Sequence, residues 1–223
     1  MIDEILNIID EYSLGRCVQW ILKHNPSQAL PYHSFNHSIW VAYYADQAYR
    51  YERPDAVTPR ALLLAALFHD FDHSGGFFIS DGKNIMRATM GYANYVLDTF
   101  NAEMDIVESL IIETTYPHSK RDAYLDDKKE SRNTDEYRFM ANCLRDADFM
   151  QNCNETLLSN FVGIKQEMFR SMPYEEYTDK TIEFLRSISY HTPYGKYMGQ
   201  LRLNHAIERM ERFQQLIFPR QDK

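Results

Sequence analysis

Residues 60–76 read Arg60-Ala61-Leu62-Leu63-Leu64-Ala65-Ala66-Leu67-Phe68-His69-Asp70-Phe71-Asp72-His73-Ser74-Gly75-Gly76. Every residue from Ala61 to Phe68 is apolar, and Ala and Leu are among the best helix formers. A helix that is apolar all round belongs inside a protein. Thr58-Pro59, just upstream, is a start signal, with Thr as N-cap and Pro at the first helical position. Ser74-Gly75-Gly76 is a stop. The stretch predicts a buried central helix from Arg60 to about Phe71, with two histidines and two aspartates at its C-terminal end. An ionised Asp in such surroundings is costly unless a partner offsets it.

Outward from this helix the chain keeps a helical period. Upstream, apolar residues recur from Ile2 to about His24 and from about Phe35 to Tyr51, interrupted by Asn25-Pro26-Ser27 and by Arg53-Pro54-Asp55. Downstream, helical patterning covers about Lys83 to Phe100, Glu103 to Thr115, Thr134 to Asp146, Glu155 to Arg170, Thr178 to Tyr190 and Tyr197 to Ile217. Residues 117–133 are the most polar stretch and read as an exposed loop. No alternating strand segment of convincing length occurs, nor does a repeat. The reading is an all-α helical bundle, one domain over residues 1–223, with C-terminal helices in 155–217.

Composition agrees. The 223 residues are 44% hydrophobic and 25% charged, with only eight Gly and eight Pro, which suits long helices and excludes wholesale disorder. The longest apolar run, Ala61 to Phe68, is far short of the ~20 residues that span a bilayer. The acidic start Met-Ile-Asp-Glu does not resemble a signal peptide. Three cysteines, Cys17, Cys143 and Cys153, form no Cys-x-x-Cys pair and read as reduced thiols packed in a cytoplasmic protein. Met86, Met90, Met104, Met140 and Met150 read as gap-filling core. A net charge of -8 argues against non-specific binding to a nucleic-acid backbone, which needs clustered Lys and Arg.

The chemistry-bearing residues are grouped. His33 and His37 stand in Tyr32-His33-Ser34-Phe35-Asn36-His37, four apart and so on one face if that turn is helical. His69, Asp70, Asp72 and His73 follow, and a third acidic group is Asp146-Ala147-Asp148. Imidazole and carboxylate together are ligands for divalent ions. A lone interior His is more often a hydrogen-bonded core residue, and a His-Asp dipeptide is common; three groups at helix ends carry more weight.

The order His…His-Asp…Asp resembles the HD-domain superfamily of metal-dependent phosphohydrolases, and its flanks are similar to the catalytic domain of the cyclic-nucleotide phosphodiesterases. The matching segments are Tyr32-His33-Ser34-x-x-His37, His69-Asp70-Phe71-Asp72-His73-Ser74-Gly75, Thr114-Thr115-Tyr116-Pro117-His118 and Ala147-Asp148, spanning 32–148. The resemblance implies that His37, His69, Asp70 and Asp148 hold a first metal and that Asp70 bridges to a second. The two divalent ions would be Zn, Mn, Mg, Fe or Ni. It implies that His33 is the general acid, and that Asp72, His73, Thr115 and His118 line the second metal, its waters or the phosphate. Tyr32, Thr115 and Gln200 are the implied substrate contacts, Gln200 standing beside Tyr197 and Leu201 where the family holds its base. The chain departs from the family at Ser34, which replaces an Asn, and in lacking a clear Glu after the His-Asp segment, where Asp81 or Asn84 is nearest. Gln166-Glu167 and Arg202-Leu203-Asn204 resemble small HD-family hydrolases instead.

The implied activity is metal-dependent hydrolysis of a phosphodiester, a cyclic nucleotide or similar small diester, in which the metals and not surface lysines attract the anionic substrate. Alternatives are a nucleotidase acting on nucleoside mono- or triphosphates, di-iron oxygenation, for which the extra histidines are lacking, and a non-catalytic nucleotide- or partner-binding module.

Overall fold

The computed structural model describes residues 2–77, 81–99, 104–115, 134–153 and 156–219. These residues are all-helical, without a strand among them. Among the described residues ten α-helices follow one another: α1 Ile2–Glu11, α2 Gly15–His24, α3 Phe35–Glu52, α4 Arg60–Phe68, α5 Asp81–Thr99, α6 Met104–Glu113, α7 Asp135–Gln151, α8 Leu157–Met168, α9 Tyr174–Ser187 and α10 Gln200–Ile217. A 3₁₀ turn, Pro26–Ala29, precedes α3, and a π-turn, Gly195–Gly199, leads into α10.

The apolar run 61–68 is the centre of the described fold. Ala61 to Phe68 is buried throughout, and Leu62, Leu63, Leu64 and Leu67 are sealed from solvent. Each such Leu contributes ~1.5–3 kcal/mol of burial. Helices α3, α5, α6 and α7 pack around α4. Helices α3 and α7 run antiparallel: Tyr32 just before α3 reaches Asn152 just after α7, while Tyr49 near the end of α3 reaches Glu136 at the start of α7. One hydrophobic cluster extends from Ile8 on α1 to Met210 on α10.

Several boundaries differ from the periodicity, each for a tertiary reason. The first helix breaks at Ser13, which takes φ 52°, because Tyr12 turns in to donate to buried Asp46 and Leu14 is fully buried beside it. Thr58 does not cap α4. Its hydroxyl also donates to Asp46, and the N-cap position falls on Pro59. Helix α4 ends at Phe68, not Phe71, so His69 caps it and Asp70 lies in the turn beyond. Helix α7 continues to Gln151, which places Asp148 inside a helix. Met140 and Met150 are core residues, whereas Met86 and Met90 are exposed on α5. The cysteines are all buried and unpaired. The loop 117–133 lies outside the described residues.

Candidate metal centre

Three elements of the bundle deliver four side chains to one point. His37 comes from the first turn of α3, His69 and Asp70 from the end of α4, and Asp148 from the last third of α7. Nε2 of His37 lies 3.1 Å from Nε2 of His69, 3.1 Å from Oδ2 of Asp70 and 3.3 Å from Oδ1 of Asp148. Nε2 of His69 lies 3.2 Å from Asp70 and 3.7 Å from Asp148. An ion held at ~2.1 Å by nitrogen and oxygen ligands sets neighbouring ligand atoms roughly 3–3.4 Å apart. The spacing fits.

The protonation chemistry fits as well. Nδ1 of His69 is 2.7 Å from the carbonyl of Ala66. A carbonyl only accepts, so Nδ1 carries the proton and Nε2 turns a lone pair to the cluster, the usual support for a metal-ligating His. Nδ1 of His37 is buried without a partner. With Nδ1 unpartnered, Nε2 of His37 either donates to the Nε2 lone pair of His69 or turns with it towards a shared cation. The two His side chains are 2% exposed, against 17% for Asp70 and 26% for Asp148, so the centre opens on its carboxylate side.

Charge follows the same pattern. Burial pushes both imidazoles down, but Asp148 and Asp70 outweigh it, raising His37 above the usual 6.5 and His69 well above it. Burial likewise raises Asp70 and Asp148, yet the surrounding imidazoles hold both carboxyls below their ordinary range. The centre stabilises positive charge at its middle, whether carried by protons or by a metal ion.

Beside it sits a second group, His33, His73 and Glu167, whose ligand atoms are also close enough to hold an ion. Its contacts are those of a hydrogen-bonded assembly. Oε1 of Glu167 accepts the backbone N–H of Tyr32 and of His33, and Oε2 lies 2.6 Å from Nδ1 of His33. The His33 and His73 rings stack with centroids 3.6 Å apart, so their in-plane lone pairs run side by side and do not converge. His73 is further bounded by Gly75 N–H at Nδ1 and by the Asn84 amide at Nε2. Burial, then the neighbouring His33, pushes His73 down to about 4, leaving it neutral near pH 7.

His33 is not on α3; it precedes Ser34, the N-cap, and its orientation comes from Glu167 and not from a shared helical face with His37. Tyr32 packs on the His37 ring, and its hydroxyl donates to Asn152 and Gln151. That hydroxyl ties α3 to α7. Asp72 pairs with Arg87 of α5. Of Asp81 and Asn84, Asn84 is the one that meets His73. Thr115 is fully buried at the end of α6, its hydroxyl donating to Ile112. Gln200 is exposed, and its amide donates to Asn204 one turn along α10. His118 lies outside the described residues. Asp146 faces away from Asp148, as residues two apart on a helix do. It accepts from His191 N–H, Thr192 N–H and the Thr192 hydroxyl.

Glu167 had no role from the sequence. Its signal is an acid in α8 four residues after Gly163. A Cβ at Gly163 would lie 3.1 Å from the carbonyl of Pro31, so α8 approaches the chain before α3 closely enough to hand Glu167 to His33. No protein-family model matches this chain, and no curated protein matches it significantly.

Proposed function

We propose that the protein is a metal-dependent phosphohydrolase of HD-domain type that cleaves a small phosphodiester, in first place a 3′,5′-cyclic nucleotide. The observation that carries the reading is the convergence of four ligand atoms from α3, α4 and α7 beside an imidazole already oriented by a buried carboxylate. His37, His69, Asp70 and Asp148 would hold the first ion, with Asp70 on the open side shared with a second. Bound divalent metal supplies a Lewis acid for phosphate oxygens and lowers the pKa of water.

The protein's own part is proton delivery. Nδ1–H of His33 donates to Glu167, which leaves Nε2 as the end available to a substrate. Held in this way, Nε2 of His33 is the group placed to give a proton to a departing alkoxide. Neutral His73, stacked on it, does not compete for that proton. A diester with a poor leaving group needs such an acid; a triphosphate, which releases a better one, depends on it less.

The test is a substrate panel on purified protein with Mn, Mg, Zn or Ni, read by chromatography of products. It should include cyclic nucleotides, nucleoside mono- and triphosphates and bis-p-nitrophenyl phosphate. Wild type is expected to open a diester. His33→Ala should retain the first metal and lose ~10²–10⁴ in turnover, the scale of a positioned general acid. Hydrolysis of mono- or triphosphates with every diester left intact would replace this reading by the nucleotidase.

A further inference from the structure

Among the described arginines that the fold buries or half-buries, all but one meet an acceptor. Arg50 pairs with Asp46 and Glu11, Arg53 with Glu136, Arg87 with Asp72 and Arg145 with Glu113, while Arg60 bonds Tyr95. The exception is Arg202, half-buried in the first turn of α10. Its guanidinium makes no hydrogen bond and no ion pair with a described residue, and its Nη1 is sealed from solvent without a partner. Guanidinium is charged at every working pH, and a desolvated charge without a counter-charge is costly.

The surroundings supply stacking but, among the described residues, no ion pair. The guanidinium carbon lies 5.0 Å from the centroid of the Tyr44 ring, and Tyr44 itself stacks on Trp40 of the same helix. The positive charge is felt by Cys153, Tyr190 and Tyr194. Burial holds all three protonated, with Cys153 pushed up to about 11. Asp146, which also acts on Tyr190, is already occupied by His191 and Thr192. Nη1 faces the protein, while Nε and Nη2, also unbonded, lie along the open edge of the fork. That edge is the one with which Arg takes two oxygens of a phosphate or carboxylate.

We infer that Arg202, backed by Tyr44 and bordered by Tyr190 and Tyr194, is a binding site for a phosphate-class oxyanion. It is separate from the metal centre in its residues, and it does not depend on the proposed hydrolysis. Aromatic backing strengthens it, because a ring face holds the guanidinium in one plane and leaves its fork free for an anion.

The test uses the full chain with metal removed by a chelator and inorganic phosphate as the probe, at constant ionic strength. The Arg202 Nε–Hε NMR signal should shift and saturate. Calorimetry should give a dissociation constant that R202Q weakens ~10-fold or more, the scale of a charge-assisted bidentate contact. R202K keeps the charge without the fork and should bind less tightly than wild type. An Arg202 signal unmoved by phosphate, or equal affinity in R202Q, overturns the site. If R202Q fails to fold, the wild-type signal and R202K decide the question alone.

Discussion

His69 faces two ways. Its Nδ1 donates to Ala66, and its Nε2 meets His37, Asp70 and Asp148. The backbone of α4 thus sets the tautomer that a cation requires. Asp146 and Asp148 show how much two residues of separation matter on one helix. Asp148 looks into the centre, while Asp146 accepts three hydrogen bonds from residues 191–192 on the other side. Purified wild type is therefore expected to carry a divalent metal by elemental analysis, and His69→Ala and Asp70→Asn to lose most of it. Asp146→Asn should keep the metal but lose ~1–3 kcal/mol of stability, because an amide puts a donor where two oxygens accept. Metal content that is equal in wild type, His69→Ala and Asp70→Asn would sink the assigned centre.

At the scale of elements, close approaches of backbone to side chain set how helices meet. Gly91 on α5 lies under the Phe71 ring so tightly that a Cβ would overlap it. Phe71 belongs to the turn that carries Asp70 and Asp72, so this contact seats the turn against α5. Gly→Ala in a helix interior normally gains ~0.5–1 kcal/mol, but overpacking a core costs ~1–3 kcal/mol. The second effect should win at Gly91, and urea unfolding of Gly91→Ala is expected to show a net loss. Gly15, at the start of α2, has nothing within 4 Å of a Cβ, and Gly15→Ala should be neutral or stabilising. A gain at Gly91 would mean that the turn yields more readily than its packing implies.

Across the whole molecule the centre makes stability depend on pH. For the metal-free protein, the raised pKa values of His37 and His69 contribute stability that is complete below the unfolded 6.5 and lost as pH rises through their folded values. The lowered Asp70 and Asp148 contribute stability above the unfolded 3.8, lost as pH falls through their folded values. Both terms operate together between 3.8 and 6.5. His73 acts in the same direction as the Asp pair and against the His pair, since its drop from 6.5 to about 4 favours folding above 6.5 and withdraws that support on acidification. Above 6.5 its contribution is complete, and the slope there belongs to His37 and His69. The melting temperature of chelator-treated protein is expected to fall as pH is raised from 6.5 towards 9, at roughly 2–4 °C per kcal/mol for a chain of this size. Protein saturated with metal should not show that fall, because the ion replaces the protons. Equal slopes with and without metal would remove the coupling.

The sequence by itself determined the helical class, the buried α4 and the grouping of His and Asp at its end. Those features are local: a run of apolar residues at 61–68 cannot face water on any side, and a His-Asp pair at its terminus goes wherever the helix ends. It also contains, in three separate segments, the His37, His69, Asp70 and Asp148 that meet at the candidate centre. Only the tertiary structure decided how they meet and who supports them. Glu167 is 134 residues from His33 along the chain, and no periodicity links them; the approach of α8 at Gly163 does. Thr58, a good N-cap locally, serves Asp46 instead, because a buried carboxylate takes every donor within reach. Patterning reports which face of a helix is buried. Partners across helices depend on how those faces pack, and that is settled only when α3, α4, α7 and α8 come together.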